Sequence, residues 1–157
     1  MGTDIYGWVE VDDNRSYPPD SWMGVIRINR FIGRTYGMYG SLFGHRNEDG
    51  FRPIAANRGF PSGLSQELRE FEDVGPNSYG VGATWISWRD ITAIDWDEEG
   101  TIAHPIVTEQ GVPPTESRIR RRKEVLTPEW EMLFEMMAVL ARRYGEDGVR
   151  IVAWFDY

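Results

Sequence analysis

The chain reads as a single α+β domain over residues 1–157: a small antiparallel sheet that includes an N-terminal hairpin and a C-terminal strand, covered by an amphipathic C-terminal helix and shorter helices. Three observations predict this. Strand-like apolar runs lie near both ends, at Ile5 to Val11 and Val149 to Phe155. One long segment, Thr127 to Tyr144, carries apolar residues at helical spacing. No internal repeat or domain-scale linker divides the sequence.

Taken in order, Ile5, Trp8 and Val9-Glu10-Val11 predict a first strand, and the polar stretch Asp12 to Asp20, with Pro18-Pro19, predicts a turn. Trp22 to Ile28 completes the hairpin. Met38, Tyr39, Leu42 and Phe43 follow helical spacing, while Gly37, Gly40, Ser41 and Gly44 form a face almost without side chains. A short helix is the preferred reading, with an open loop of positive-φ glycines as the alternative. Each interior Gly costs about 1 kcal/mol against Ala, so such a helix needs tertiary support or close backbone contact.

Ser65 to Phe71 predicts a short helix with Leu68 and Phe71 inward, followed by a turn-rich loop at Gly75 to Gly80. Ala83 to Ile86 is a brief strand, and Ser87 caps a helix that runs through Ile94. Asp97 to Ser117 has weak periodicity and is expected to wander over the surface. Pro128 sits at the first position of the long helix and Gly145 stops it. Val149 to Phe155 is then a buried final strand.

Composition narrows the function. The net charge is -8, and seven Trp among 13% aromatics argue for a packed core. No Cys is present, which removes disulfides, thiolate nucleophiles and Cys-based metal sites. Neither a membrane span nor a secretory signal is recognisable, and Tyr6 stands where a myristoylation signal needs Ser or Thr. A soluble, cytoplasmic protein is expected.

The charge is uneven. Residues 27–60 carry six arginines against two carboxylates, a local net of +4, interleaved with aromatic rings and glycines. Guanidinium groups beside flat rings suit planar or anionic ligands. Within this stretch the polar margin His45-Arg46-Asn47 and Arg58-Gly59-Phe60-Pro61 carry the candidate chemistry, and the loop containing Tyr79 can supply a hydroxyl to the same cleft. Arg46, Asn47, Arg58 and Tyr79 are therefore the candidate ligand-binding residues. His45, with Asp4 as a carboxylate brought in by the fold, is the catalytic alternative.

Two further motifs read more blandly. Asp95-Trp96-Asp97-Glu98-Glu99-Gly100 opens like a calcium loop, but Ile106 occupies the position of the bidentate carboxylate, so an exposed acidic turn is expected. Arg118 to Lys123 resembles a nucleic-acid patch, yet Glu116, Glu124, Glu129 and Glu131 offset its field. A solvated strand or linker is expected there, and direct nucleic-acid binding is not. No phosphate loop, dinucleotide fingerprint or metal pattern points to a cofactor or a metal.

Met1-Gly2-Thr3-Asp4-Ile5-Tyr6, Arg46-Asn47, Arg58-Gly59-Phe60-Pro61 and Trp85-Ile86-Ser87-Trp88 through Asp95-Trp96 together resemble a family of uncharacterised small phage and bacterial proteins that often open Met-Gly-Cys-Asp-Ile-His. The resemblance covers roughly residues 1–97 and implies an accessory or host-interaction role, with no transferable activity. Thr3 and Tyr6 replace the family's usual Cys and His, so no metal or redox site carries over.

The combined reading is a non-enzymatic phage or bacterial accessory protein that engages a nucleotide-like ligand or a partner protein, as an inhibitor or sequestering factor. The alternatives are a nucleotide-directed hydrolase or transferase using His45, and a structural or assembly protein whose glycine face lets subunits approach closely.

Overall fold

The computed structural model describes residues 2–13, 22–71, 81–101 and 119–156. Four strands form one antiparallel sheet in the order β2-β1-β4-β3, with β1 at Asp4–Asp12, β2 at Trp22–Arg27, β3 at Val81–Ser87 and β4 at Val149–Asp156. Among the described residues the helices are α1 (Tyr36–Phe43), α2 (Gln66–Glu70), α3 (Trp88–Thr92), α4 (Arg122–Val125) and α5 (Pro128–Tyr144), with a 3-10 turn at Ile28–Arg30. The α+β class, the N-terminal β1–β2 pair and the C-terminal helix followed by a strand are as the sequence predicts.

β4 lies between β1 and β3 and is buried from Val149 to Phe155. Its apolar run from Ile151 to Phe155 follows from cover on both faces. On one face Ile5, Val9, Val11, Ile86, Ile151, Ala153 and Phe155 pack with Met38, Tyr39, Leu42 and Phe43 of α1 and with Trp130, Leu133, Phe134 and Met137 of α5. On the other, Tyr6, Trp8, Ala83, Trp85, Val152 and Trp154 meet Phe60, Leu64, Leu68 and Phe71. Period-2 alternation along β1 is thus split between two apolar layers.

The second layer contains a buried ion pair. Glu10 and Arg150 are cross-strand neighbours, with Arg150 Nε donating to Glu10 Oε2 at 2.8 Å. The other Glu10 oxygen accepts from the Ser65 backbone N–H at 2.8 Å, and Ser65 in turn caps α2. Arg150 also donates to the Gly63 carbonyl at 3.2 Å and lies 3.6 Å from the Trp22 ring centroid.

Several local expectations are sharpened. β2 ends at Arg27, where the backbone tightens into the 3-10 turn, so Ile28 is not a strand residue. The predicted cap at Ser87 is a full capping box with Asp90, but α3 ends at Thr92, short of Ile94. The long helix occupies 128–144 with Pro at its start. Of the basic run, residues 119–121 are the exposed, extended segment expected, whereas Arg122 and Lys123 open α4 and Arg122 is fully buried, which the expectation of a solvated run missed.

Candidate functional site

α1 is closed by Gly44, whose left-handed backbone (φ 74) turns the chain so that the following His45 N–H reaches back to the Tyr39 carbonyl at 3.2 Å. The next two residues, His45 and Arg46, are thereby delivered to one end of the sheet, beside the start of β1, the end of β4 and the start of β3. Arg46 has φ 51, a left-handed conformation that costs an arginine about 1 to 2 kcal/mol. Its Nε donates to Thr3 Oγ1 at 2.9 Å, and its guanidinium carbon stands 5.9 Å from the Tyr36 ring centroid. Thr3 is fully buried and its N–H donates to the Tyr36 hydroxyl at 2.9 Å.

The His45 ring lies parallel to Phe155, with centroids 4.1 Å apart and 5° between planes. Burial, reinforced by the neighbouring Arg46 charge, lowers its pKa, which favours the neutral imidazole at pH 7. The bulge between Val81 and Thr84 brings Gly82, at φ 69, to the same place: a Cβ there would be 3.7 Å from His45 Nδ1.

Asp4 reaches this end of the sheet too, but both its oxygens accept from Arg34, at 2.7 Å from Nε and 3.0 Å from Nη2. That hydrogen bonding holds the Asp4 carboxyl below its ordinary pKa.

The remaining candidates are placed differently. Asn47 uses its amide to close a loop: Nδ2 donates to the Phe51 carbonyl at 2.5 Å and Oδ1 accepts from the Phe51 N–H at 2.9 Å. Arg58 follows Asn57, itself at φ 51, and ties three segments together. It donates to Asp90 Oδ2 at 2.7 Å, to the Trp85 carbonyl at 3.2 Å and to the Ile54 carbonyl at 3.1 Å, with its guanidinium carbon 5.1 Å from the Trp85 ring centroid. Its β3 partner, Trp85, lies three residues along the strand from Gly82, about 10 Å at strand rise, and Asp90 lies beyond the end of that strand in α3. Arg58 therefore anchors α3 and β3, while Arg46 stands at the sheet end. Tyr79 lies outside the described residues, as does His104.

The glycine face of α1 is filled within the chain. A Cβ at Gly40 would be 2.8 Å from Asn47 Cα, and one at Gly37 would be 2.7 Å from the Val125 side chain. The acidic turn and the basic run also meet each other. Lys123 pairs with Asp97 at 2.7 Å, Arg122 with Glu98 at 2.7 Å, Arg121 with Glu99 at 3.7 Å, and Arg120 with Asp49 at 3.5 Å.

Three residues of the sheet-end cluster escaped selection from sequence: Thr3, Arg34 and Tyr36. Their contacts with Tyr36, Asp4 and Arg46 span 33, 30 and 43 positions, as Thr3 to Tyr36, Arg34 to Asp4 and Arg46 to Thr3. No local spacing encodes them. The one available signal is the excess of arginine over residues 27–60.

Among the described residues, no three His, Asp or Glu side chains come together as a metal site, and no helix is long and apolar enough to cross a membrane. No family model matches the chain, and neither does any curated protein or solved structure at a significant level.

Proposed function

We propose that this is a non-enzymatic phage or bacterial accessory protein whose Arg46 margin binds a nucleotide-like anionic ligand. The observation that carries the reading is the backbone at Arg46. A non-glycine residue is held at φ 51 with its guanidinium pinned by the buried Thr3 hydroxyl over the Tyr36 ring. Strain of this kind persists where the surroundings over-determine it, and such positions cluster at ligand clamps and active sites. An exposed arginine beside Tyr36 and His45 offers charge to a phosphate and flat surfaces to a base. Binding is favoured over catalysis because Asp4, the carboxylate that the catalytic alternative pairs with His45, is committed to Arg34. The phage association rests on the family resemblance of the first 97 residues.

Calorimetric titration with ATP as the probe tests this, with Arg46→Ala and Arg58→Ala in parallel. Arg46→Ala is expected to weaken binding at least about tenfold while the fold persists, a loss in the range for one charge-assisted contact. Arg58→Ala is expected to lower the melting temperature and leave the affinity of the folded protein intact. ATP binding that ignores Arg46→Ala, or its absence in the wild type, overturns the reading.

A further inference from the structure

Thr3 and Asp4, consecutive at the start of β1, each hold one guanidinium: Thr3 that of Arg46, Asp4 that of Arg34. Tyr36 braces the Thr3 side of the pair: its hydroxyl accepts from the Thr3 N–H and its ring lies beside Arg46. The Arg34 fork is also pressed against the main chain at Gly2, where a Cβ would overlap its Nη1, Cζ and Nε atoms. Arg34 is thus oriented from two sides, by backbone and by a carboxylate.

Resting on the Arg46 reading, we propose that Arg34 is a second anion-binding residue of the same site, and that Asp4 is an internal stand-in which a phosphate-type anion displaces from it. The geometry of the contact supports exchange. Arg34 presents Nε and Nη2 as a parallel pair, an arrangement that fits carboxylate and phosphate oxygens alike. The side chains of Arg34 and Asp4 are 54% and 48% exposed, so an incoming anion reaches the fork without unfolding anything. Exposed ion pairs of this type contribute little to stability, so giving up the carboxylate costs little. Arg34 holds Asp4 ionised well into acid, which makes it a standing competitor at neutral pH. The ligand class is a phosphate or pyrophosphate group, carrying more charge than the carboxylate it replaces.

The consequence is that neutralising one carboxylate improves binding. Titrations with pyrophosphate and with ATP at low salt would compare the wild type, Asp4→Asn, Arg34→Gln and the double variant, with a thermal melt for each. Asp4→Asn is expected to tighten binding about fivefold and Arg34→Gln to weaken it by a similar factor, in line with the strength of exposed ion pairs. In the Arg34→Gln background the Asp4→Asn gain should disappear. Unchanged or weaker binding by a folded Asp4→Asn protein overturns the stand-in role, even if Arg46→Ala still abolishes binding. Arg34→Gln weakening beside an indifferent Arg46→Ala keeps Arg34 as the anion residue and removes the Arg46 reading. Silence of both wild type and Asp4→Asn toward both probes removes the two together.

Discussion

Arg122 and Glu98 meet in a forked contact, with Nε donating at 3.0 Å and Nη2 at 2.7 Å to the same carboxylate oxygen. Arg122 is completely buried, and its remaining donors go to the Ser41 carbonyl at 2.6 Å, to Ser41 Oγ at 3.0 Å and to the Arg52 carbonyl. Around it a short ladder joins 96–100 to 120–123: Arg122 N to the Glu98 carbonyl, Lys123 N to that of Trp96, and Gly100 N to that of Arg120. One arginine thereby fastens both segments to α1 and the loop after it.

Replacing Arg122 with Ala should cost about 3 to 5 kcal/mol, because it removes a large buried side chain and strips donors from enclosed carbonyls. Arg122→Lys should recover part of this and remain about 2 kcal/mol below wild type, since an ammonium cannot reproduce the planar fork. Arg121→Ala and Lys123→Ala, whose pairs are exposed, should leave the midpoint where it is. Urea denaturation curves for the four variants check this. Equal midpoints for Arg122→Ala and Arg121→Ala would refute the anchoring role.

This contact also marks where sequence reading stops. Strands β1 and β4, helix α5 and the Ser87 cap were legible because their signals are local: alternation, 3.6-residue spacing, a proline start, and a capping pair three residues apart. The acidic turn and the basic run each read, on local signals, as solvated segments, an exposed acidic turn and a strand or linker, and their mutual neutralisation depends on a fold that brings residues 24 positions apart into register. The same limit applies at the candidate site. Arg46 was identifiable from its surroundings in the chain, but whether Arg58 would join it depended on Asp90, 32 positions away.

The glycines of α1 offer a second test. On helix propensity alone, Gly40→Ala would stabilise by about 1 kcal/mol. The added methyl would instead press on Asn47 at both Cα and Oδ1, and this residue, tied to Phe51 by two hydrogen bonds of its side-chain amide, cannot retreat cheaply. A net loss of about 1 to 3 kcal/mol is expected, as for overpacked cores. Gly37→Ala should be milder, because its neighbour is the Val125 side chain. A Gly40→Ala protein with a raised melting temperature would show the close approach to be unimportant.

At position 46, alanine and glycine separate strain from contact. Both substitutions delete the Thr3 hydrogen bond, but only glycine relieves the left-handed backbone. Arg46→Gly should therefore be more stable than Arg46→Ala by about 1 kcal/mol or more. Neither variant should bind the ATP probe well. Equal stability of the pair would mean that φ 51 carries no strain worth assigning to function.

Asp90 sets a pH dependence. Partial burial pushes its pKa up, but the hydrogen bonds from Arg58 and Ser87 outweigh burial and leave it below the ordinary 3.8. A folded-state pKa below the unfolded one stabilises the protein above the unfolded value, and that stability drains away as pH falls through the folded value. Wild-type stability should thus decline from about pH 5 downward, with Asp90→Asn declining less steeply over the same window. At pH 7 the variant should be about 1 to 2 kcal/mol weaker, from the lost charge-assisted bond and cap. Parallel acid titrations followed by circular dichroism would reveal it, and identical slopes would count against the assignment.

The Glu10–Arg150 pair should behave as a unit. Burial lowers the Arg150 pKa and Glu10 opposes that shift, so Glu10→Gln leaves a guanidinium desolvated without its counter-charge. A loss of about 3 to 5 kcal/mol is expected, whereas the joint replacement Glu10→Leu with Arg150→Met should recover most of it, because apolar side chains of similar size carry no desolvation penalty. The two cases also differ locally. Glu10 accepts from the Ser65 N–H that precedes α2, and Arg150 holds the Gly63 carbonyl, so even the recovered double variant lacks the ties that fasten this segment to the sheet. Hydrogen exchange should then show faster opening of the Ser65 and Leu68 amides in the double variant, with β4 amides still protected. Wild-type protection at Ser65 and Leu68 in that variant would mean that packing of Leu68 and Phe71 on Trp154, and not the ion pair, keeps α2 in place.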